Sequence, residues 1–327
     1  MVRFGIVGFG LHAVKRVMPA FSITKHCTVT ALSRRSLADA KASAAKYGIP
    51  HAFNSTEALC ASPEVDGVFV TTPDALHLRD VLTALEHGKP VLCEKPMAMN
   101  AAEAQQMVDA ARRKKLLLGV AHVFRFEHTV LRVRQLFAEG AIGRVLFARS
   151  EFCYPGQNHS RQWLRDGKLA AGGPIADVGV HCIDALRFIL QDDVRTVFAS
   201  AAYDDQSSLE HSASMNLNFR KGTLGTVNVS ILGPYRTPFE VVGEKGSIRA
   251  ENFFTVEAPV ELVIETDGSV RRETLSNHEA YARQFDAFAL ALEQRTPFPA
   301  PGEEGLRNQL VLDAAFRSAK SRTAEPV

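Results

Sequence analysis

The sequence predicts an α/β protein in two parts. The first is a doubly wound parallel sheet, and the second is an α+β domain built on an open, largely antiparallel sheet. Three observations predict this. Short apolar runs alternate with helical patterns over about the first 120 residues. A glycine-rich turn follows the first of those runs. Beyond Val194 the pattern changes to period-two alternation broken by turn residues.

A chain of 327 residues exceeds what one core usually holds, and the change of pattern after His122 places the boundary between domains at 1–122 and 123–327. The composition, 46% hydrophobic and 23% charged, is that of a soluble globular protein, and a formal charge of +2 offers nucleic acid or an anionic membrane no electrostatic partner. No run approaches the roughly 20 apolar residues of a membrane span. The N-terminus enters a strand pattern at once, leaving no room for a signal peptide. Five cysteines without a C-x-x-C pair point to reduced thiols in a cytoplasmic protein, with no disulfide framework and no metal site.

The first strand, Phe4 to Val7, runs into Gly8-Phe9-Gly10-Leu11-His12-Ala13. This matches G-x-G-x-x-G/A, placed after a strand and before a helix. Gly8 permits the tight turn, Gly10 lets backbone approach a pyrophosphate, and Ala13 lets helix and strand pack closely. The helix pauses near Met18-Pro19, because proline lacks a donor. A second strand, Val29 to Leu32, ends in Ser33-Arg34-Arg35. An acid at this point would accept from the ribose hydroxyls of NAD. A hydroxyl and two guanidinium groups suit a 2′-phosphate, so NADP(H) is favoured, NAD remaining possible. The same arginines would also suit the solvated start of the next helix.

That helix, Ala38 to Tyr47, closes at Gly48, and a strand at His51–Phe53 and a short helix capped by Ser55 follow. A fourth strand, Asp66 to Val70, ends in Thr71-Thr72-Pro73, and the helix from Ala75 to His87 carries His77 in its first turn. The fifth strand, Val91-Leu92-Cys93, stops abruptly at Glu94-Lys95-Pro96. Ligands of open α/β sheets bind beyond such strand ends, which puts Lys95 in a cleft. Asn100 caps a helix to about Lys114, and Leu116 to Val120 is the sixth strand.

The second part begins with a helix, His128 to Glu139, and a strand, Arg144 to Cys153. A polar and aromatic loop from Tyr154 to Trp163 includes Asn158 and His159. Gly172-Gly173-Pro174 then starts a helix to about Leu190, with Asp177 and His181 at i and i+4 on one face. Such a pair can share a substrate hydroxyl, or the carboxylate can set the imidazole's tautomer; it can equally be an ordinary surface pair. Repeated alternation from Thr196 to Leu275 predicts hairpins of one sheet, and two helices, His278 to Gln294 and Glu303 to Lys320, finish the chain. A sheet with one uncovered face predicts a homodimer or homotetramer formed through it.

Taken together, Gly8 to Ala13, Thr72-Pro73 with His77, Glu94-Lys95-Pro96, and Gly172-Gly173-Pro174 leading into Asp177 and His181 resemble the Gfo/Idh/MocA family of pyridine-nucleotide oxidoreductases. The resemblance covers nearly the whole chain. It implies a Rossmann domain, a second domain with an open sheet, and a sugar or polyol substrate. It also implies a catalytic set of Lys95, Asp177 and His181. Cofactor contacts would fall to Gly8, Phe9, Gly10, Leu11, His12, Ser33, Arg34, Arg35, Thr71, Thr72, Pro73, His77, Glu94 and Lys95. Ser33-Arg34-Arg35 resembles the NADP-preferring sugar reductases of the family. Trp163 resembles an aromatic beside the nicotinamide in those members, although here Leu164 separates it from Arg165; a core or loop tryptophan is the plain alternative. His122, Arg125, Tyr154, Asn158 and His159 are candidates to line a substrate cleft. Either His181 or Lys95 could carry the proton. The rival functions are a cofactor-binding sensor that has lost its chemistry and an oxidoreductase acting on a non-sugar such as a dihydrodiol or a tetrapyrrole. Retention of both Lys95 and His181 weighs against the sensor.

Overall fold

The computed structural model describes residues 1–157, 160–204 and 208–327. Asn158 and His159 lie outside the described residues. The chain forms two compact units. One comprises Met1–His122, Lys168–Ala170 and Tyr281–Leu306; the other comprises Val123–Gly167, Ala171–Ala280 and Arg307–Val327.

The first unit holds six strands: β1 (Val2–Val7), β2 (Cys27–Ser33), β3 (His51–Phe53), β4 (Gly67–Val70), β5 (Val91–Cys93) and β6 (Leu118–Val120). They pair in parallel in the order β3-β2-β1-β4-β5-β6. The order reverses beside β1, so the doubly wound sheet of the sequence reading is present and its switch point lies at the glycine-rich turn. Strands β4, β5 and β6 are buried throughout, as strands covered on both faces must be. The helices are α1 (Met18–Phe21), α2 (Leu37–Tyr47), α3 (Thr56–Cys60), α4 (His77–Glu86) and α5 (Ala101–Lys114). Leu59, Val81, Leu85, Met107 and Val108, from α3 to α5, pack on one face of the sheet.

The other face explains why Tyr281–Leu306 belongs to this unit. Helix α8, defined below, lays Phe285 against Phe4, Phe21 and Phe69 at ring separations of 5.7, 4.4 and 5.0 Å. Phe288 adds contacts to Phe4 and Phe298. A boundary read from pattern alone misses this, because an apolar helical stripe does not say which sheet it covers.

Among the described residues, the second unit contains α6 (His128–Ala138), α7 (Val180–Leu190) and nine strands. These are β7 (Val145–Cys153), β8 (Val194–Tyr203), β9 (Glu210–Phe219), β10 (Leu224–Ser230), β11 (Phe239–Gly243), β12 (Gly246–Ala250), β13 (Val260–Thr266), β14 (Ser269–Leu275) and β15 (Glu325–Pro326). Their order is β14-β13-β12-β11-β7-β10-β9-β8-β15; β7 and β10 run parallel, and the other pairs are antiparallel. Helices α8 (Ala280–Gln294) and α9 (Gly302–Ser321) close the chain. Helix α7 covers one face of the sheet. The other face leaves Phe147 48%, Phe198 40% and Leu224 57% exposed. The edge strand β14 is lined with Arg271, Arg272 and Glu273, charges that discourage pairing with another strand.

The helix expected from Pro174 to Leu190 departs from regular geometry. Ile175–Gly179 is a π-helical turn, and the α-helix begins at Val180. Such π turns often accompany functional sites. Gly172 and Gly173 just before it are required by packing, since a Cβ on Gly173 would collide with the Glu210 carbonyl and one on Gly172 with Phe316.

Candidate active site

The strand ends of the first unit bring the glycine-rich turn against the loop after β4. Gly8 has φ +81°, and a Cβ there would lie 2.7 Å from Thr72 Cγ2 and 2.8 Å from its backbone nitrogen, so only glycine fits. Thr71 donates its hydroxyl to the Gly8 carbonyl at 2.8 Å. At Gly10 a Cβ would meet nothing nearer than the Gly8 carbonyl at 3.6 Å, so the backbone is open to close approach. These features fit a dinucleotide pyrophosphate. Phe9 is buried against Tyr47, with ring centroids 5.5 Å apart, and its amide donates to the Ser33 carbonyl at 3.0 Å. The turn is thereby tied to the end of β2. There Arg34 and Arg35 are exposed, and Arg34 Nη1 donates to Ser43 Oγ at 2.8 Å. Leu11 is half-buried.

After β5, Glu94 accepts from His12 Nε2 at 3.0 Å and from the Lys95 amide at 3.1 Å. Burial pushes this carboxyl upward, but the His12 ring and Lys95 outweigh it and hold its pKa at about 2. Lys95 is half-buried in this loop, and the Lys95–Pro96 peptide is cis. His77 is 1% exposed, with Nε2 2.9 Å from the Thr72 carbonyl and Nδ1 3.0 Å from the Pro96 carbonyl. Pro73 precedes the 3-10 turn Asp74–Leu76 that leads into α4. His122 is buried just beyond β6.

The sequence reading missed Asp80. Fully buried on α4, it accepts from the Thr56 and Thr72 hydroxyls, each at 2.9 Å, and from Arg79 at 2.8 Å. It fixes Thr72 from beneath. Its signal was an acid three residues from His77 on the apolar face of an amphipathic helix, where a charge needs partners.

In the second unit, the Tyr154 hydroxyl donates to Asp177 Oδ2 at 2.5 Å. Burial and the adjacent carboxylate both push the Tyr154 pKa upward, so the phenol keeps its proton. His181, 8% exposed in the first turn of α7, packs its ring on Phe124 at 4.3 Å, and Phe124 in turn stacks on Phe254 at 4.5 Å. The Glu210 carboxylate accepts from the Ile175 amide at 2.9 Å and so caps the π turn that carries Asp177. Trp163 is half-buried in the 3-10 segment Gln162–Arg165, with the Arg161 guanidinium 6.0 Å from its ring. Arg125 is 3% exposed and grips Asp184 through Nε at 3.0 Å and Nη2 at 2.6 Å. Asn308 donates to the same carboxylate at 2.7 Å. An acid, Asp184, on a helix that is apolar nearly all round was the available sequence signal for this network.

The parallel sheet with its glycine turn at the switch point defines a dinucleotide-binding α/β protein, joined to a second domain with a mixed, mostly antiparallel sheet. Comparison with known proteins agrees. Residues 2–122 match the model described as an oxidoreductase family with an NAD-binding Rossmann fold, and residues 130–249 match the GFO/IDH/MocA C-terminal domain. The chain is 31% identical over 309 residues to the 1,5-anhydro-D-fructose reductase of Ensifer adhaerens, covering 94% of this chain and 92% of that one. It is also 31% identical over 325 residues to D-xylose 1-dehydrogenase (NADP(+)) 2 of Haloferax volcanii, covering 99% of each. Among solved structures, an aldose-aldose oxidoreductase from Caulobacter crescentus complexed with glycerol shares the fold at a TM-score of 0.93 and 22% identity, covering 100% of this chain and 99% of that one. The chain belongs to the Gfo/Idh/MocA family of oxidoreductases. Among the described residues, no group of three or more His, Cys, Asp or Glu side chains could hold a metal ion, and no helix is long and apolar enough to cross a membrane.

Proposed function

We propose that this chain is an NADP(H)-preferring oxidoreductase of a sugar or polyol, with Lys95, Asp177 and His181 as its catalytic residues. The observation that carries the reading is the Tyr154–Asp177 hydrogen bond beside His181 on the second unit, an acid–base arrangement with its carboxylate fixed. Bound nicotinamide supplies the hydride-transfer chemistry, which leaves the protein to move a proton at the reacting oxygen and to hold that oxygen in place. His181 donates or accepts that proton, imidazole being the side chain whose unperturbed charge change lies nearest neutral pH. Lys95 hydrogen-bonds the oxygen and stabilises its negative charge. Asp177 accepts from substrate hydroxyls and is oriented by Tyr154. Trp163 and His122 serve cofactor and substrate from their loops.

The preference for NADP(H) is supported by Ser33, Arg34 and Arg35 at the end of β2, where no acid stands. The NADP(+) in the name of the Haloferax volcanii relative agrees with it. The sugar reading is supported by the names of both curated relatives. Two copies pack through the open sheet face, whose Phe147, Phe198 and Leu224 are exposed. Five unpaired cysteines suit the reducing cytoplasm.

The test is a screen of ketoses, inositols and amino sugars with NADPH and NADP+, followed by nicotinamide absorbance. On the substrate so found, Lys95→Met and His181→Ala should each lower turnover by roughly 10²- to 10⁴-fold. Near-normal turnover in both variants refutes the assignment.

A further inference from the structure

We propose that His77 is a positioning residue in the imidazolium form, each of its two ring N–H groups clasping one backbone carbonyl and so tying the loop after β4 to the loop that carries Lys95. The positioning half of the proposal rests on the reading of Lys95 as catalytic; the charge state does not.

The geometry decides the charge. Nε2 lies 2.9 Å from the Thr72 carbonyl oxygen, and Nδ1 lies 3.0 Å from the Pro96 carbonyl oxygen. A carbonyl oxygen only accepts. A neutral imidazole has one N–H and one bare lone pair, so in either tautomer a lone pair would face an oxygen lone pair at hydrogen-bond distance. With the ring 1% exposed, water is not at hand to relieve that repulsion. Protonation of both nitrogens turns both contacts into charge-assisted hydrogen bonds.

Two influences oppose the cation. Burial disfavours it, and so does its position as the first residue of α4, where the helix dipole is positive. Against them stand the two carbonyl dipoles and the buried Asp74 in the turn just upstream. Cys93 of β5 also faces the ring, but burial pushes its thiol upward, so it stays protonated and Asp74 is the balancing anion. Asp80, one turn further along α4, is already committed to Thr56, Thr72 and Arg79.

The clasp matters because of what its two carbonyls belong to. Thr72 is the residue against which Gly8 packs, and Pro96 immediately follows Lys95. His77 therefore reaches a cofactor through these loops, and its own nitrogens are committed to protein. A neutral ring would release one of the loops.

The experiment is nitrogen-15 NMR of the histidine rings of the full chain at about pH 8, with His77 identified by the loss of its signals in His77→Gln. Two near-equal ring nitrogen shifts with two slowly exchanging N–H protons are expected; the split shifts of a neutral tautomer overturn the proposal. Asp74→Asn keeps both carbonyl contacts. It should lower the pH at which the ring loses its second proton, and kcat should fall on the alkaline side with the same midpoint. A kcat profile that ignores that midpoint overturns the positioning role. His77→Gln, which can replace only one donor, should lower kcat roughly tenfold or more; an unchanged kcat overturns the positioning role. If Lys95→Met leaves turnover intact, the functional reading fails, and the ring's NMR signature still stands or falls separately.

Discussion

Replacing Asp184 by Asn tests whether Arg125 belongs to the interior, as its burial says, or to an open cleft. The change preserves shape and removes one charge. In the native protein the carboxylate receives Arg125 Nε at 3.0 Å, Arg125 Nη2 at 2.6 Å and Asn308 Nδ2 at 2.7 Å. Both side chains of the ion pair are 3% exposed. Without the carboxylate, the Arg125 guanidinium stays buried with its charge no longer balanced there. Breaking a buried pair from one side costs about 3–5 kcal/mol. At about 2–4 °C per kcal/mol for a protein of this class, the melting temperature should fall by roughly 6–20 °C. The exposed pair Arg144–Glu244, at 76% and 47%, is the control, and Glu244→Gln should change stability by less than about 1 kcal/mol. The assay is thermal and urea unfolding followed by circular dichroism. The double variant Arg125→Met/Asp184→Leu, which leaves no charge behind, should recover most of the loss. An Asp184→Asn protein that melts within about 2 °C of the wild type would refute the reasoning, because a pair that cheap to break must be solvated.

Arg34→Ala should raise KM for NADPH by roughly 10- to 100-fold, the loss of a charge-assisted contact, with little change for NADH; equal effects on both cofactors in steady-state assays would count against the 2′-phosphate role. Glu94, held at about 2 against an ordinary value of 4.5, stabilises the fold above the ordinary value and loses that contribution as pH falls from 4.5 through about 2. Urea unfolding at about pH 5 and pH 3 should therefore show Glu94→Gln to be less acid-sensitive than the wild type, by a difference on the order of 1–3 kcal/mol. If copies pair through the open sheet face as proposed, Phe147→Glu should lower the sedimentation coefficient from that of the wild-type protein to that of a monomer; an unchanged coefficient argues against that interface.

Much of the fold was legible because its signals are local. Gly8 needs a positive φ, Gly48 ends α2 at φ +66°, and Asn100 caps α5 by accepting the Glu103 amide at 3.0 Å. Each is settled within a few residues of the chain, and each stands where the sequence reading put it. The fully apolar runs of β4 and β5 could only be strands covered on both sides. The π turn at Ile175–Gly179 was not legible, because its sequence is compatible with a regular helix. Asp80 and Asp184 were overlooked for a related reason. A charge in a helix announces itself, but its partners are set by long-range packing: Asp184 meets Asn308, 124 residues away.

The sequence by itself determined the strand order's raw material, the place of the glycine turn and the end of β2 at Ser33-Arg34-Arg35. These depend on backbone conformation and residue chemistry, which short stretches specify. Only the tertiary structure decided how such residues are held. It gave Glu94 to His12, Asp177 to Tyr154 and Arg125 to Asp184, and it placed both nitrogens of His77 against carbonyls. It also assigned Phe285 and Phe288 of α8 to the parallel sheet. The physical reason is the same in each case. Burial strips a polar group of water and forces it to find a partner, and the partner it finds is whichever residue the fold delivers, however distant in the chain.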